Sequence, residues 1–152
     1  MSPSAAIATL CGIGRLRPAP GTIASLVTAI AAFGLAAIEG RVLLLVLGIF
    51  SMAFGGWAAE HYVRERGVSD PSECVIDEVA GQFIACAFAP RTLLGFTLAF
   101  LLFRVMDILK PWPIYLAERL PGGLGIVADD IIAGVFAGLI ILILVQLHVL
   151  MP

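Results

Sequence analysis

Charge is what this sequence has least of. Of its 152 residues, 13% are Asp, Glu, Lys or Arg and 61% are apolar, and the mean hydropathy is +1.06. An ordinary soluble domain carries about twice that fraction of charge. So few charges cannot cover the surface of a 16.0 kDa globule, which excludes both a soluble domain and a disordered chain. A basic excess is also missing. At a net charge of −2 the chain lacks the cationic footprint of a nucleic-acid binder. Cysteine is scarce: Cys11, Cys74 and Cys86 are odd in number and show no CxxC spacing, so neither a disulfide framework nor a structural zinc site is implied. The first 14 residues hold no Lys or Arg, and no cleavage pattern follows, so no secretory signal peptide is expected. What remains is an integral membrane protein, all-α, folded as a single domain over residues 1–152.

The few charges are clustered. Thr22 to Ile38, Val42 to Ala59 and Ile131 to Pro152 contain none, and Val79 to Phe103 is interrupted only at Pro90-Arg91. A helix needs roughly 20 apolar residues to cross a ~30 Å hydrocarbon core, with about 17 as the lower limit. Proline removes a backbone donor, and an arginine is costly at mid-membrane, so Ala89-Pro90-Arg91 is read as a tight turn between two helices. Five transmembrane or membrane-embedded helices are then expected, near 22–38, 41–60, 73–89, 92–110 and 126–149. Alternating their directions places 17 of the 20 charges on one side, leaving Glu39, Arg41 and Arg91 on the other. The crowded side holds seven of the nine Lys/Arg residues, which makes it cytoplasmic by the positive-inside rule. Thr22 is expected to cap the first helix, and Asp70-Pro71-Ser72-Glu73 to open the third as N-cap, N1 proline and capping-box acid.

Five carboxylates stand at the ends of three of these helices. Asp77 shares a helical stripe with Gly81 and Ala85, Asp130 with Gly134 and Gly138, and Asp107 lies below Phe103, Ala99 and Gly95. Small residues at that spacing let helices approach closely, so these acids should face the bundle and not lipid. Converging acids repel one another and lose hydration, a situation relieved by a cation. Oxygen ligands favour Mg²⁺, Ca²⁺ or Mn²⁺. His61 and His148, expected on opposite sides, offer no competing metal set. Plainer readings stand beside this one. Asp129-Asp130 would favour the positive end of the last helix, Asp70 and Glu73 would be caps, and Glu60, Glu65 and Glu118 solvated interface charges. Arg104 and Lys110 would snorkel, and Trp57 and Trp112 would anchor the interface.

The cations on the same face point to the substrate. Arg15, Arg17, Arg104 and Lys110 border the acids, and the helix after Gly21 offers free backbone N–H groups. Together these form a receptor for phosphate. Gly12-x-Gly14 is not a nucleotide loop, because no Gly-Lys-Ser/Thr follows it.

Four segments carry a family likeness: Gly14-Arg15-Leu16-Arg17-Pro18-Ala19-Pro20-Gly21-Thr22, Val75-Ile76-Asp77-Glu78-Val79-Ala80-Gly81-Gln82, Phe103-Arg104 with Asp107-Ile108-Leu109-Lys110-Pro111-Trp112-Pro113-Ile114, and Gly122-Gly123-Leu124-Gly125-Ile126 with Asp129-Asp130-Ile131-Ile132-Ala133-Gly134. In this order, over about residues 12–138, they resemble phosphatidylglycerophosphatase A. Ala24, Phe83 and Met106 depart from the family's usual glycine, tryptophan and aromatic residue, while the charged positions are intact. The resemblance implies a bacterial inner-membrane, Mg²⁺-dependent phosphatase acting on the terminal phosphomonoester of phosphatidylglycerophosphate. The expected partners are this phospholipid and membrane lipids; the net charge speaks against nucleic acid, and no protein partner is inferred. The expected catalytic residues are Asp77, Glu78, Asp107 and Asp130, with Asp129 added to the metal ligands. Glu78 is the candidate base, and Arg15, Arg17, Thr22, Arg104 and Lys110 form the substrate set. An aspartyl-phosphate route stays open. The rival class is a small proton- or cation-translocating protein, which would need acids at mid-membrane, whereas these lie at helix ends. A Mg²⁺ phosphatidyltransferase would need a spaced-aspartate motif that the sequence lacks.

Overall fold

The computed structural model describes residues 1–38, 40–68, 71–117, 119–120 and 123–150. Glu39, Asp70, Glu118 and Gly122 lie outside the described residues, so the expectations placed on them are not addressed. Among the described residues the structure is helical, without strands. A short helix α1 (Pro3–Ala8) and a 3-10 turn at Ile13–Arg15 precede α2 (Pro20–Ile38), α3 (Arg41–Arg66), α4 (Ile76–Ala87), α5 (Leu93–Leu109), the single turn α6 (Ile114–Ala117) and α7 (Gly123–Gln146).

Three stretches, Pro20–Ile38, Arg41–Arg66 and Gly125–Gln146, are long and apolar enough to cross a bilayer. Their outward faces carry Leu26, Ile30, Phe33, Ile49, Phe50, Leu139 and Ile143, all exposed, as lipid contact requires. The chain does break at Pro90: α4 ends at Ala87 and α5 starts at Leu93. Thr92 caps α5 by accepting from the Gly95 amide (3.0 Å), and Arg91 donates to the Ala37 carbonyl at the end of α2 (2.9 Å). That bond satisfies one of the last carbonyls of α2, which have no acceptor role left within the helix.

α4 is the central element. Its 12 residues reach only about 18 Å at 1.5 Å per residue, and it packs against α2, α3, α5 and α7. Nine of the 12 are buried, which small side chains make possible. A Cβ on Gly81 would run into the Asp130 carbonyl and the Phe103 ring, and one on Gly134 into the backbone of Gly81. Gly138 packs in the same way against Phe88. The two small-residue stripes therefore meet each other. Asp107's stripe also faces inward, with Phe103 and Ala99 fully buried.

Several expected boundaries move. α2 begins at Pro20, so Thr22 sits inside its first turn and is not the cap. α3 runs six residues beyond 60 and stops at Gly67, whose φ of +66° suits a residue without Cβ. The third helix starts at Ile76 and not at Glu73, with Val75 in the cap position and no side-chain cap. Glu73 instead accepts from the Tyr62 hydroxyl (3.1 Å) and pairs with Arg66 (3.3 Å), tying the 71–75 segment to the end of α3. Long-range partners outbid the local capping signal there.

The Gly81–Gly134 crossing is testable. Gly134→Val should destabilise the protein by roughly 1–3 kcal/mol, the cost of overpacking against backbone that cannot yield. Gly34→Ala, where nothing lies within 4 Å of the new methyl, should leave stability equal or higher. Thermal unfolding of both variants in detergent separates the two outcomes. Equal midpoints would show that α4 and α7 are not in contact there.

Candidate active site

One end of the bundle opens into a cleft of about 780 Å³. Its wall is built from the start of α2 (Ala19, Pro20, Gly21, Thr22), the end of α3 (Glu60, Val63, Arg64), Asp77 and Glu78 of α4, Arg104, Asp107 and Lys110 of α5, and Asp129 and Asp130 of α7. Five helix ends thus converge, four supplying acids and α2 supplying its N-terminus. As first-turn amides of α2, those of Gly21 and Thr22 have no acceptor within the helix.

Asp77, Glu78 and Asp130 form the innermost group. Each offers a carboxylate oxygen, and these oxygens lie within 4.8 Å of one another. Asp130 is 3% exposed, and Oε2 of Glu78 is buried with no hydrogen-bond partner. Gly21 matters here, since a Cβ on it would overlap the Glu78 carboxylate. Oδ1 of Asp77 accepts from the Glu78 amide (3.1 Å). Three carboxylates this close, in surroundings poorer in water than bulk, repel strongly. An arrangement with an unpartnered oxygen and all-oxygen donors suits a hard divalent cation.

Two cations stand beside this group, each on its own acid. Arg104 pairs with Asp107 at 2.7 Å, both side chains 14% exposed, and donates to the Ser25 hydroxyl at 3.3 Å. Ser25 in turn donates to the Gly21 carbonyl (2.9 Å), which links α5 to the start of α2. Lys110 pairs with Asp129 at 2.7 Å. The lysine ends α5 in a left-handed conformation (φ 43°), its amide bonded to the Met106 carbonyl, and Pro111 prevents the helix from continuing. Asp107 also lies within electrostatic reach of Glu78 and Asp130.

The structure thus gathers Asp77, Glu78, Asp107, Asp129, Asp130, Thr22, Arg104 and Lys110 around one cleft. It does not bring Arg15 and Arg17 into the wall; both are exposed on the loop before α2. That loop packs on the 73–75 segment through Gly14, where a Cβ would strike the Glu73 carbonyl. Glu60 and Arg64, read from sequence as a solvated charge and an unassigned one, line the cleft. The i, i+4 spacing of Glu60 and Arg64 was visible, but only the extension of α3 to Arg66 carries them to the rim. Glu65, likewise read as solvated, accepts from Ser2 and Ser4 at 2.7 Å and docks α1 onto α3.

The family model described as Phosphatidylglycerophosphatase A matches residues 6–145. The chain belongs to the phosphatidylglycerophosphatase A family. A Haemophilus influenzae protein named Phosphatidylglycerophosphatase A is 35% identical over 143 residues, covering 93% of this chain and 88% of that protein. The Escherichia coli protein of the same name is 36% identical over 97 residues, 62% of this chain and 55% of that protein. A Bacteroides thetaiotaomicron protein with the provisional name phosphatidylinositol-3-phosphatase is 34% identical over 145 residues, 89% of each chain. No solved structure matches. Membership makes this chain an enzyme of the phosphatase class, and the matched region contains every carboxylate of the cleft.

The Arg104–Asp107 pair, with both side chains mostly buried, is testable as an energetic unit. A double-mutant cycle with Arg104→Met and Asp107→Asn should give a coupling of about 1–3 kcal/mol in unfolding free energy. Additive effects of the two substitutions would show that the pair is not an energetic unit.

Proposed function

We propose that this protein hydrolyses the terminal phosphomonoester of phosphatidylglycerophosphate, giving phosphatidylglycerol and inorganic phosphate, with Mg²⁺ held by Asp77, Glu78 and Asp130. The observation that carries the reading is the placement of these three acids within 4.8 Å of one another, in a cleft also lined by Arg104 and Lys110. The names of the Haemophilus and Escherichia relatives support the substrate. A divalent cation at such a site supplies neutralisation of phosphate charge.

The chain's own groups do the rest. Arg104 and Lys110, held by Asp107 and Asp129, face the phosphoryl oxygens as negative charge builds there. The free amides of Gly21 and Thr22 add oriented dipoles from the positive end of α2. A carboxylate oxygen of Glu78 not bound to the cation accepts a proton from the attacking water as the new P–O bond forms. The bond from phosphorus to the glycerol oxygen then breaks, and that oxygen leaves as a hydroxyl, protonated from water in the open cleft. Acids at mid-membrane would favour ion translocation instead, but here Asp77, Glu78 and Asp107 lie in the terminal turns of α4 and α5, and Asp129 and Asp130 in the second turn of α7.

The test is phosphate release by purified protein in mixed micelles, with Mg²⁺ and then with chelator. Asp77→Asn, Glu78→Gln and Asp130→Asn should each lower kcat by about 100-fold or more, the scale of losing one electrostatic catalytic group. Mg²⁺ should also raise the unfolding midpoint of the wild type and not of Asp130→Asn, a readout independent of turnover. No release from phosphatidylglycerophosphate, or full activity in Asp130→Asn, would overturn the reading. Faster release from phosphatidylinositol 3-phosphate would transfer it to the substrate named for the Bacteroides relative.

We further propose a multi-pass position in a bacterial inner membrane with the cleft facing the cytoplasm, supported by the seven Lys/Arg residues gathered on that side. Cys11 is exposed in the turn after α1, which is held to the start of α4 by a Val75 amide to Ala8 carbonyl bond (2.8 Å), while Cys74 and Cys86 are buried. A membrane-impermeant maleimide should label the protein only after cells are opened. Labelling of intact cells would reverse the orientation.

A further inference from the structure

The last two turns of α3 hold features that the catalytic reading does not use. Among the described residues the cleft wall contains three cations, and two of them, Arg104 and Lys110, are committed to acids at its base. The third, Arg64, sits at the rim. Its guanidinium pairs with Glu60 one turn earlier, and the arginine side chain is 71% exposed. An exposed pair of this kind contributes little to stability, so exchanging the carboxylate for a phosphate oxygen costs little. A guanidinium presents its donors in a planar fork that matches phosphate.

The same face of α3 continues downward into an apolar hollow. Ala53, Trp57, Glu60 and Arg64 follow one another at spacings of four, three and four residues, which keeps them on one stripe of the helix. Ala53, Phe54 and Trp57 border a second hollow of about 330 Å³, with Phe54 and Trp57 half-exposed. Phe50 stacks on Phe54 (centroids 4.3 Å apart) and Trp57 lies against His61 (4.8 Å), so the hollow has aromatic walls. Trp57 and Arg64 are separated by about 10 Å along the helix axis.

A phospholipid that presents a terminal phosphomonoester on its headgroup carries a second phosphate, the diester joining that headgroup to the diacylglycerol. We infer that the Ala53–Arg64 face of α3 is the lateral entrance for the lipid, with Arg64 binding this diester phosphate and the Trp57 hollow receiving an acyl chain. This rests on the phosphatase reading and adds to it the way the substrate is gripped. The monoester goes to the deep cations, the diester to the rim cation, and the chain to the apolar hollow below it. Charge falls and apolar character rises along one helical stripe in the order in which the lipid itself changes. Glu60 keeps Arg64 extended over the cleft when no lipid is present.

The decisive measurement compares two inhibitors of phosphatidylglycerophosphate hydrolysis in mixed micelles. Phosphatidylglycerol retains the diester and lacks the monoester, whereas inorganic phosphate mimics the monoester alone. Arg64→Ala should raise KM and weaken inhibition by phosphatidylglycerol by about tenfold each, with inhibition by inorganic phosphate unchanged and kcat within about twofold. Trp57→Ala should weaken inhibition by phosphatidylglycerol and leave that by phosphate alone. Glu60→Gln removes the competing carboxylate while keeping the cation, so phosphatidylglycerol should inhibit it at least as well as the wild type. Unchanged phosphatidylglycerol inhibition in Arg64→Ala would overturn the inference, as would equal weakening of both inhibitors. Weakened phosphatidylglycerol inhibition in Glu60→Gln would overturn it too, by showing that the pair acts as a structural clamp. A wild type that releases no phosphate would sink the phosphatase reading itself, which keeps the two failures apart.

Discussion

The contact between the backbones of Gly81 in α4 and Gly134 in α7 is the constraint on which the rest of this molecule depends. With a side chain at either position the helices would stand further apart, and Asp77 and Glu78 could not meet Asp130. In lipid, where apolar side chains gain nothing by leaving their solvent, such close approach is what drives helix association. Here it also works against electrostatics, pressing three carboxylates together. The packing of α4 on four other helices holds them there.

Around this repulsive centre the neighbouring charges are arranged to limit its cost. Arg104 and Lys110 each neutralise an outer acid and still face the cleft. Ser25 and the Gly21 carbonyl tie Arg104 to the first turn of α2, so the start of that helix and the end of α5 are hydrogen-bonded together. Part of that cost remains, and the oxygen of Glu78 without a hydrogen-bond partner is its local sign. The tension is confined to one end of the bundle. At the other end, Arg91 and Thr92 satisfy the backbone at the ends of α2 and α5.

Much of this was readable from residue order. The break at Pro90-Arg91 follows from proline chemistry and from the cost of a buried guanidinium, and the structure has it between Ala87 and Leu93. The inward facing of Asp77, Asp107 and Asp130 follows from helical periodicity, because each acid has small or buried residues one and two turns away. Reading failed where a local preference met a distant partner. Ser72 and Glu73 looked like the opening of a helix, but Tyr62 and Arg66 draw Glu73 away. Thr22 looked like a cap, but Pro20 already has the fixed φ that a first helical residue needs. Glu60 looked like surface charge and Arg64 drew no reading, because nothing local shows that the end of α3 borders a cleft.

Composition and periodicity by themselves determined that this chain is an apolar helical bundle with its charges gathered at a few helix ends, and which face of each helix carries an acid. Those properties depend on transfer free energies and on the 3.6-residue repeat, both local to a segment. Only the tertiary structure decided which acids share a centre and which are taken up by a cation, and that Arg64 belongs to the rim while Arg15 and Arg17 do not line the wall. Such questions turn on distances between segments far apart in the chain, set by how closely two glycine backbones approach.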